Sequence, residues 1–510
     1  MTLAALMTAA RTLAPGASAL VTASAEGGRT VTGIAHDSRA VTPGAVFVAV
    51  RGHRVDGTTF AADAVARGAM AVVAEGPAPA GVTVPWLQTT NARLALAELA
   101  AIFNGRPSER LTVVGVTGTN GKTTITYLLA SVLDAAGLPC GRLGTVTFRV
   151  GPDRRFERDA AHTTPEASDL QALLREMVDQ GCQACAMEVS SHALVLHRVA
   201  EMRFAAAIFT NLTRDHLDFH VDMAAYFAAK RRLFEMLPVG APAIVNIDDP
   251  RGAELAASLS RVVTYGLDRP ADVRGRGIQS SLEGLAFEAD TPRGPLAIRS
   301  PLVGRPNAYN ILSVVALGVA LDLPSAAIER GIAALESVPG RFQMVSGQAD
   351  DVRVVVDYAH TDDALKNLLE TARPLAGSRL IVVFGCGGDR DKTKRPLMGA
   401  VAGRLADVVV LTSDNPRSEN PDRIIDEIKR GLLPTPEPGA PPRATPEWVA
   451  DPDRRKAIDL AVRQAAPGDL VVIAGKGHEK YQVIGDRTLP FDDVEVARAA
   501  LGQRRAAPRV

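Results

Sequence analysis

The stretch "LTVVGVTGTNGKTTITYLLA" (residues 111–130) runs from apolar residues through a glycine turn to Lys122, Thr123 and Thr124 at the head of a helical pattern. That order suits phosphate. The backbone amides of Gly118, Thr119, Asn120 and Gly121, with the helix N-terminus, can cradle phosphate oxygens. The Lys122 ammonium can reach the β- and γ-phosphates, and the Thr123 hydroxyl can ligate magnesium. The general phosphate-loop pattern wants glycine at position 116, where this chain has Val116, with Gly115 and Gly118 nearby. The strand and helix context nevertheless points to nucleotide phosphate.

Further on, "CQACAMEVSSHALVLHRV" puts Glu188 at the end of a buried run, and "AAAIFTNLTRDHLDFH" puts Asp215, His216, Asp218 and His220 after another. Parallel strands that end together would carry Glu188 and His216 toward the phosphate loop, as magnesium ligands or their support. "YFAAKRRLFEML" sets Lys230 on a helix; read alone, a helical lysine is a solvated charge.

A third constellation lies near the C-terminal end. "RVVVDYAH", "RLIVVFGCGGDRD", "DVVVLTSDNPR" and "LVVIAGKGHE" each carry their polar or glycine-rich residues after the apolar run. Ligands of open parallel sheets bind beyond the carboxyl ends of the strands, so four such ends imply one lined crevice. For "DNPR" the competing reading is a cap for the helix that begins near Asp422.

These groups need scaffolds. At 510 residues the chain exceeds a single core, and an α/β architecture of three segments is expected, with boundaries near residues 108 ("FNGRPSER") and 338 ("ESVPGRFQ"). Residues 1–108 mix short strands and helices, whereas 109–338 and 339–510 alternate them as mainly parallel, doubly wound sheets do. "LLPTPEPGAPPRATPEW" reads as a Pro-rich surface loop. Lysine plus arginine equals aspartate plus glutamate at 57 each, which gives no pull toward nucleic acid or anionic membranes. Cys140, Cys182, Cys185 and Cys386 read as reduced core thiols of a cytoplasmic protein, because the single CxxC lacks a partner to complete a zinc site. "ILSVVALGVAL" is too short to span a bilayer and fits a buried helix, and the Ala-rich start lacks the basic segment of a cleaved signal.

Taken together, "TGTNGKTT", "HTTPE", "EVSSHAL", "TNLTRDHLDFH", "AAKRRLF", "GRPNAYN", "PGRFQ", "DYAHT" and "SDNPRSENP" resemble the Mur ligases, the ATP-dependent amide-forming enzymes of peptidoglycan precursor synthesis. Within that family the likeness is strongest to members that add meso-diaminopimelate to UDP-N-acetylmuramoyl-L-alanyl-D-glutamate. The resemblance implies an N-terminal domain for the uridine nucleotide, a central P-loop ATPase and a Rossmann-like C-terminal domain for the amino acid. It implies that Ser38 and the stretch from His53 to Gly57 hold the UDP end, and that Thr163, Thr164, Ser190 and Arg198 line the path of sugar and peptide. Asn307, Arg341, Asp357 and His360 fall in motifs that contact ATP. Lys230 matches the lysine that the family carries as a carbamate, formed with carbon dioxide, and would join Thr123, Glu188 and His216 around magnesium.

Arg390, Asp414, Asn415, Pro416, Arg417, Gly475 and Glu479 match the pocket for diaminopimelate. There Arg417 would pair with the distal carboxylate and Asp414 with the distal ammonium. Relatives that add lysine typically lack this arginine. A monomer, without nucleic-acid or membrane partners, is expected. Two positions depart from the family pattern: Asp362 stands where proline is common, and Leu196 where a polar side chain is frequent.

Overall fold

Strand β5 (Thr112–Thr117) is built from valines that stay buried on both faces, the pattern of a parallel strand covered by helices on either side. The computed structural model describes residues 1–14, 21, 24–52, 55–160, 162–432 and 446–506.

Ahead of it, β1 (Gly33–Ala35), β2 (Ala45–Val48), β3 (Ala71–Ala74) and β4 (Trp86–Gln88) form a four-stranded parallel sheet, backed by the helix Ala92–Phe103. The chain then enters an eleven-stranded sheet. Its parallel heart contains β6 (Cys140–Leu143), β9 (Ala184–Glu188), β5, β10 (Ala206–Phe209), β11 (Ala243–Asn246) and β12 (Val262–Gly266). At one edge lie β7 (Thr147–Arg149) and β8 (Glu157–Asp159); at the other lie β13 (Val273–Ser281), β14 (Gly284–Asp290) and β15 (Leu296–Ser300). Both edges end in antiparallel pairs. The helices Lys122–Ala135 and Arg305–Ala320 share one core on one face. The second of these contains "ILSVVALGVAL", which is buried as expected.

The last sheet has six strands in the order β16 (Gln343–Met344), β17 (Arg353–Asp357), β21 (Leu470–Ala474), β18 (Leu380–Phe384), β19 (Val408–Leu411) and β20 (Glu447–Ala450). All its pairs except β16 with β17 are parallel. A hairpin, β22 (Tyr481–Ile484) and β23 (Arg487–Pro490), stands beyond β21.

Between the first two sheets, Arg11 and Arg106 both reach Glu201, and Arg203 N donates to Ser108 Oγ at 3.1 Å. Near residue 338 the backbone turns at Gly340, φ +66°, where a Cβ would lie 2.3 Å from His478 N. Only glycine allows the two segments to approach so closely there. All four cysteines are buried and free. Residues 433–445, most of the Pro-rich stretch, lie outside the described residues, and no described helix is long and apolar enough to cross a membrane.

Candidate active site

The phosphate loop follows β5 directly. Val116 pairs with Glu188 on one side and Ile208 on the other, so position 116 belongs to the sheet and the loop proper is Gly118–Gly121. This is the physical reason that the expected glycine is missing. Gly118 (φ +144°) and Gly121 (φ +90°) are enforced sterically: a Cβ would sit 1.8 Å from Thr210 Oγ1 at the first and 2.4 Å from Asn310 Oδ1 at the second. Lys122 opens the helix, and its Nζ donates to the Gly118 and Thr119 carbonyls at 2.9 and 2.8 Å. Burial lowers its pKa.

The parallel register brings in the remaining groups. Glu188 ends β9 beside the loop and is 1% exposed; Thr145 donates to its two oxygens, from N at 2.8 Å and from Oγ1 at 3.1 Å. His216 lies in the left-handed region (φ +54°), with Nε2 3.6 Å from Asp215 Oδ2, and burial pulls its pKa down to about 4. Lys230 overturns the solvated-charge reading. It is 1% exposed, its Nζ lies over the Tyr226 ring and donates to the Gly118 carbonyl at 2.7 Å, and burial with Lys122 nearby holds its pKa well below the usual lysine range. The helical period of about 3.6 residues says which side chains share a face but not which protein surface covers that face.

A cavity of about 290 Å³ is lined by Thr119 through Thr124, Glu188, His216, Lys230, Asn307, Arg341, Asp357 and His360, with Thr163 and Ser190 at its margin. Gly118 precedes the lining residues, and its carbonyl accepts from Lys122 and Lys230. Arg341 crosses from the C-terminal segment to donate from Nη2 to Thr123 Oγ1 at 3.1 Å. Asp357 accepts from Phe342 N and Ala359 N, tying "PGRFQ" to "DYAHT". Asn307 caps its own turn through Val303 O and accepts from Asn310 Nδ2.

Among the described residues no group of three or more His, Cys, Asp or Glu side chains could enclose a metal by itself. Magnesium does not need one. It takes one or two protein oxygens and completes its shell with phosphate and water, and the Thr123 hydroxyl and Glu188 carboxylate, opening on one cavity with the phosphate loop, are such a donor set.

Of the groups assigned to the sugar and peptide, Thr163 Oγ1 lies 3.1 Å from Thr145 Oγ1. Thr164 Oγ1 donates to Glu188 O at 2.9 Å and meets Ser190, while Arg198 donates to Thr164 O and pairs with Glu166. Ser38 is buried in the turn Ser38–Ala40 and lines neither cavity. His53 lies outside the described residues.

A second cavity, about 510 Å³, is walled by Arg390, Asp414, Asn415, Arg417, Gly475 and Glu479 together with Arg214, Asp391, Lys394 and Tyr481. Pro416 lines neither cavity: its carbonyl packs on Gly388, where a Cβ would lie 1.9 Å away. The helix-cap reading of "DNPR" fails. The helix Pro421–Leu432 is capped by Asn420, whose Oδ1 accepts from Asp422 N at 2.8 Å. Arg417 Nη1 donates to Gly388 O at 2.7 Å, and Asp414 Oδ1 is buried without a hydrogen bond. Asn415 is spoken for by the protein, accepting from Lys476 Nζ and Val483 N and donating to Glu479. Of the two departures, Asp362 lines this second cavity at the start of a helix capped by Thr361, and Leu196 lines neither cavity.

Sequence reasoning passed over several buried cations, among them Lys476 and Arg454. Lys476, 0% exposed, donates to Asn415 Oδ1 and Glu479 Oε2 at 3.1 and 3.0 Å; its one signal is a lysine inside the glycine-rich end of a buried strand. Arg454 pairs with Asp493 at 2.6 Å, both wholly buried, and donates to the Ser413 and Ala474 carbonyls, so it fixes the ends of β19 and β21 next to Asp414 and Gly475. Breaking such a pair leaves an uncompensated charge. Arg454→Ala is therefore expected to lower stability by roughly 3–5 kcal/mol in urea unfolding. A loss under about 1 kcal/mol would show that the guanidinium contributes little.

Family models match three stretches: the Mur ligase family catalytic domain over residues 30–104, the Mur ligase middle domain over 116–318, and the Mur ligase glutamate ligase domain over 340–477. The chain is 48% identical to the UDP-N-acetylmuramoyl-L-alanyl-D-glutamate–2,6-diaminopimelate ligase of Solibacter usitatus, over 92% of this chain and 93% of that protein. It is 47% identical to the enzyme of the same name from Geobacter metallireducens, over 92% and 94%. A solved structure of a ligase of that name superposes with TM-score 0.65 at 34% identity, covering 95% of this chain and 97% of the other. Folylpolyglutamate synthase of Mycobacterium tuberculosis, 18% identical with TM-score 0.61 over 80% and 95%, shares the fold. Three family models in succession and near-full-length identity close to one half make the assignment: the chain belongs to the Mur ligase family.

Proposed function

We propose that the chain uses ATP to join meso-diaminopimelate to the D-glutamyl carboxylate of UDP-N-acetylmuramoyl-L-alanyl-D-glutamate, forming an amide for peptidoglycan. One observation carries this reading. The two cavities share Asp215, His216, Tyr358, His360 and Thr361, so a carboxylate activated in the first is open to an amine held in the second. On this reading residues 1–108 hold the uridine end, 109–338 the nucleotide and 339–510 the amino acid. The protein acts as a cytoplasmic monomer, without nucleic-acid or membrane partners. A folylpolyglutamate synthase would have no use for the uridine-binding segment or for Arg417 beside Asp414.

A carboxylate and an amine do not condense in water, because hydroxide leaves poorly. Transfer of the γ-phosphoryl group to the carboxylate replaces it with a good leaving group. Lys122 and Arg341 flank the phosphate loop and offset negative charge as the phosphoryl group moves. Thr123 and Glu188, with His216 and a carbamylated Lys230, would hold magnesium, which when bound supplies Lewis-acid neutralisation of the phosphate oxygens. The acyl phosphate is attacked by the amine, and phosphate departs. Contacts between segments shield it from water: Asn120 Nδ2 to Asp363 Oδ2 at 2.9 Å and Arg214 to Asp391 at 3.4 Å draw the C-terminal sheet onto the loop.

Phosphate release from ATP should require both the UDP-muramoyl dipeptide and diaminopimelate; release with neither present would overturn the reading. Lys230 gives a separate prediction. A buried amine against a second buried amine favours the uncharged form that reacts with carbon dioxide, and the carbamate so formed is a carboxylate. Lys230→Ala should lose ligation and regain part of it with added small carboxylates, whereas Lys230→Arg should not respond. Full activity in Lys230→Ala would remove the lysine from the chemistry.

A further inference from the structure

His360 stands at the junction of both cavities, and one hydrogen bond decides its tautomer. Its Nδ1 lies 2.8 Å from the Tyr358 carbonyl, which can only accept, so Nδ1 carries the proton and Nε2 keeps a lone pair. Among the described residues the hydrogen bond of the imidazole is the one at Nδ1. The Tyr358 ring packs on the imidazole with centroids 4.6 Å apart and fixes its plane. The ring is therefore oriented, committed to one tautomer, and open to the space where an incoming amine meets the activated carboxylate.

We propose that His360, beyond the ATP contact its motif implies, is the general base that deprotonates the incoming amino acid. The proposal rests on the ligase reading above. The amino acid arrives as an ammonium, which has no lone pair and cannot attack. His360 Nε2 accepts one proton, and the freed pair on nitrogen forms the bond to the acyl carbon. The carbon–oxygen bond to phosphate breaks with its electron pair on the leaving oxygen, and the second proton of the nitrogen passes to the departing phosphate. The imidazolium then returns its proton to water.

The charged groups around the ring match this cycle. Burial is the main influence and lowers the pKa of His360; Lys394, whose Nζ donates to the His360 carbonyl at 2.7 Å, acts in the same direction. The free enzyme thus presents a neutral imidazole. Asp215 from the loop after β10 and Asp414 from the loop after β19 act the other way and can steady the transient imidazolium. Arg341 and His478 both lie against the Tyr358 ring, and burial keeps His478 neutral, its pKa lowered to about 3.

Hydroxylamine separates this role from every other. It is largely uncharged at neutral pH, needs no base, and traps an acyl phosphate as a hydroxamate. With ATP and the UDP-muramoyl dipeptide, His360→Gln should lose far more amide formation with diaminopimelate than hydroxamate formation, the ratio of the two rates falling about 10²- to 10³-fold from wild type. That ratio should recover as pH rises and free amine accumulates, and any lost ATP contact lowers both products alike. Loss of both products in parallel, with the ratio unchanged, would overturn the proposal and leave His360 a nucleotide contact. If wild type forms neither product, the ligase reading itself fails. Should His360→Gln not fold, as judged by circular dichroism, His360→Asn carries the same comparison of the two products, and an unchanged ratio again refutes the base.

Discussion

Lys122→Ala is expected to cut ligation by at least about 10³-fold, because one cation aimed at a transferring phosphoryl group in a water-poor cavity is worth that much. The protein should stay folded. Lys122 Nζ is bonded to the Gly118 and Thr119 carbonyls; Lys230 Nζ reaches the same Gly118 carbonyl at 2.7 Å, so only the carbonyl of Thr119, a residue that lines the cavity, gives up its lysine donor. Thr210 Oγ1 donates to Asn120 O at 2.7 Å and Asn120 N donates to Asn211 Oδ1 at 2.9 Å, so the loop should keep its shape without the lysine. The measurements are steady-state ligation, nucleotide affinity and a thermal melt. Near-normal turnover in a folded variant would take the phosphate loop out of the reaction.

The phosphate loop was legible because everything that defines it is local: a valine strand, glycines at two left-handed positions and a lysine at a helix start within twelve residues. Even its departure has a local cause, since Val116 is still inside the sheet. The four strand ends of the C-terminal segment were legible for the same reason. Lys230 was not, because its burial comes from the Gly118 carbonyl and Tyr226, a matter of packing that periodicity does not contain. Arg454 and Lys476 are harder still. Their partners Asp493 and Asn415 lie far along the chain, and a charged residue beside a buried strand ordinarily signals its end. The antiparallel edges fall within the expectation of a mainly parallel sheet, but alternation of strand and helix gives no sign of them, since β13, β14 and β15 follow one another with no helix between. The helix-cap alternative for "DNPR" came down to one residue: Asn420, three positions after Arg417, makes the cap and frees the tetrapeptide for the cavity.

Arg417→Ala should change which amino acid the enzyme prefers. Arg417 sits in the left-handed region at φ +51°, held by backbone bonds from its N–H to Val483 O and from Gly485 N–H to its own carbonyl. Those bonds survive truncation, and alanine bears a similar backbone strain, so stability should shift by no more than about 1 kcal/mol. What goes is the guanidinium. Nη1 is engaged with Gly388 O, which leaves the Nη2 and Nε edge to form a bidentate pair with a carboxylate. Asp414, with Oδ1 unbonded and 3.6 Å from Lys476, is placed to accept from an ammonium. Diaminopimelate offers both groups at its far end; lysine offers the ammonium alone and strands the arginine. Truncation therefore acts on both substrates: diaminopimelate loses a paired contact of about 2–4 kcal/mol, and lysine loses the penalty of an unpaired charge. The quantity to measure is the ratio of kcat/KM for the two amino acids in wild type and variant, with KM for ATP and for the UDP-dipeptide as controls. Arg417→Lys should fall between, because a point charge attracts the carboxylate without the fork that orients it. With the helix already capped by Asn420, an unchanged ratio would leave one conclusion: Arg390 or Lys394, across the same cavity, takes the distal carboxylate instead.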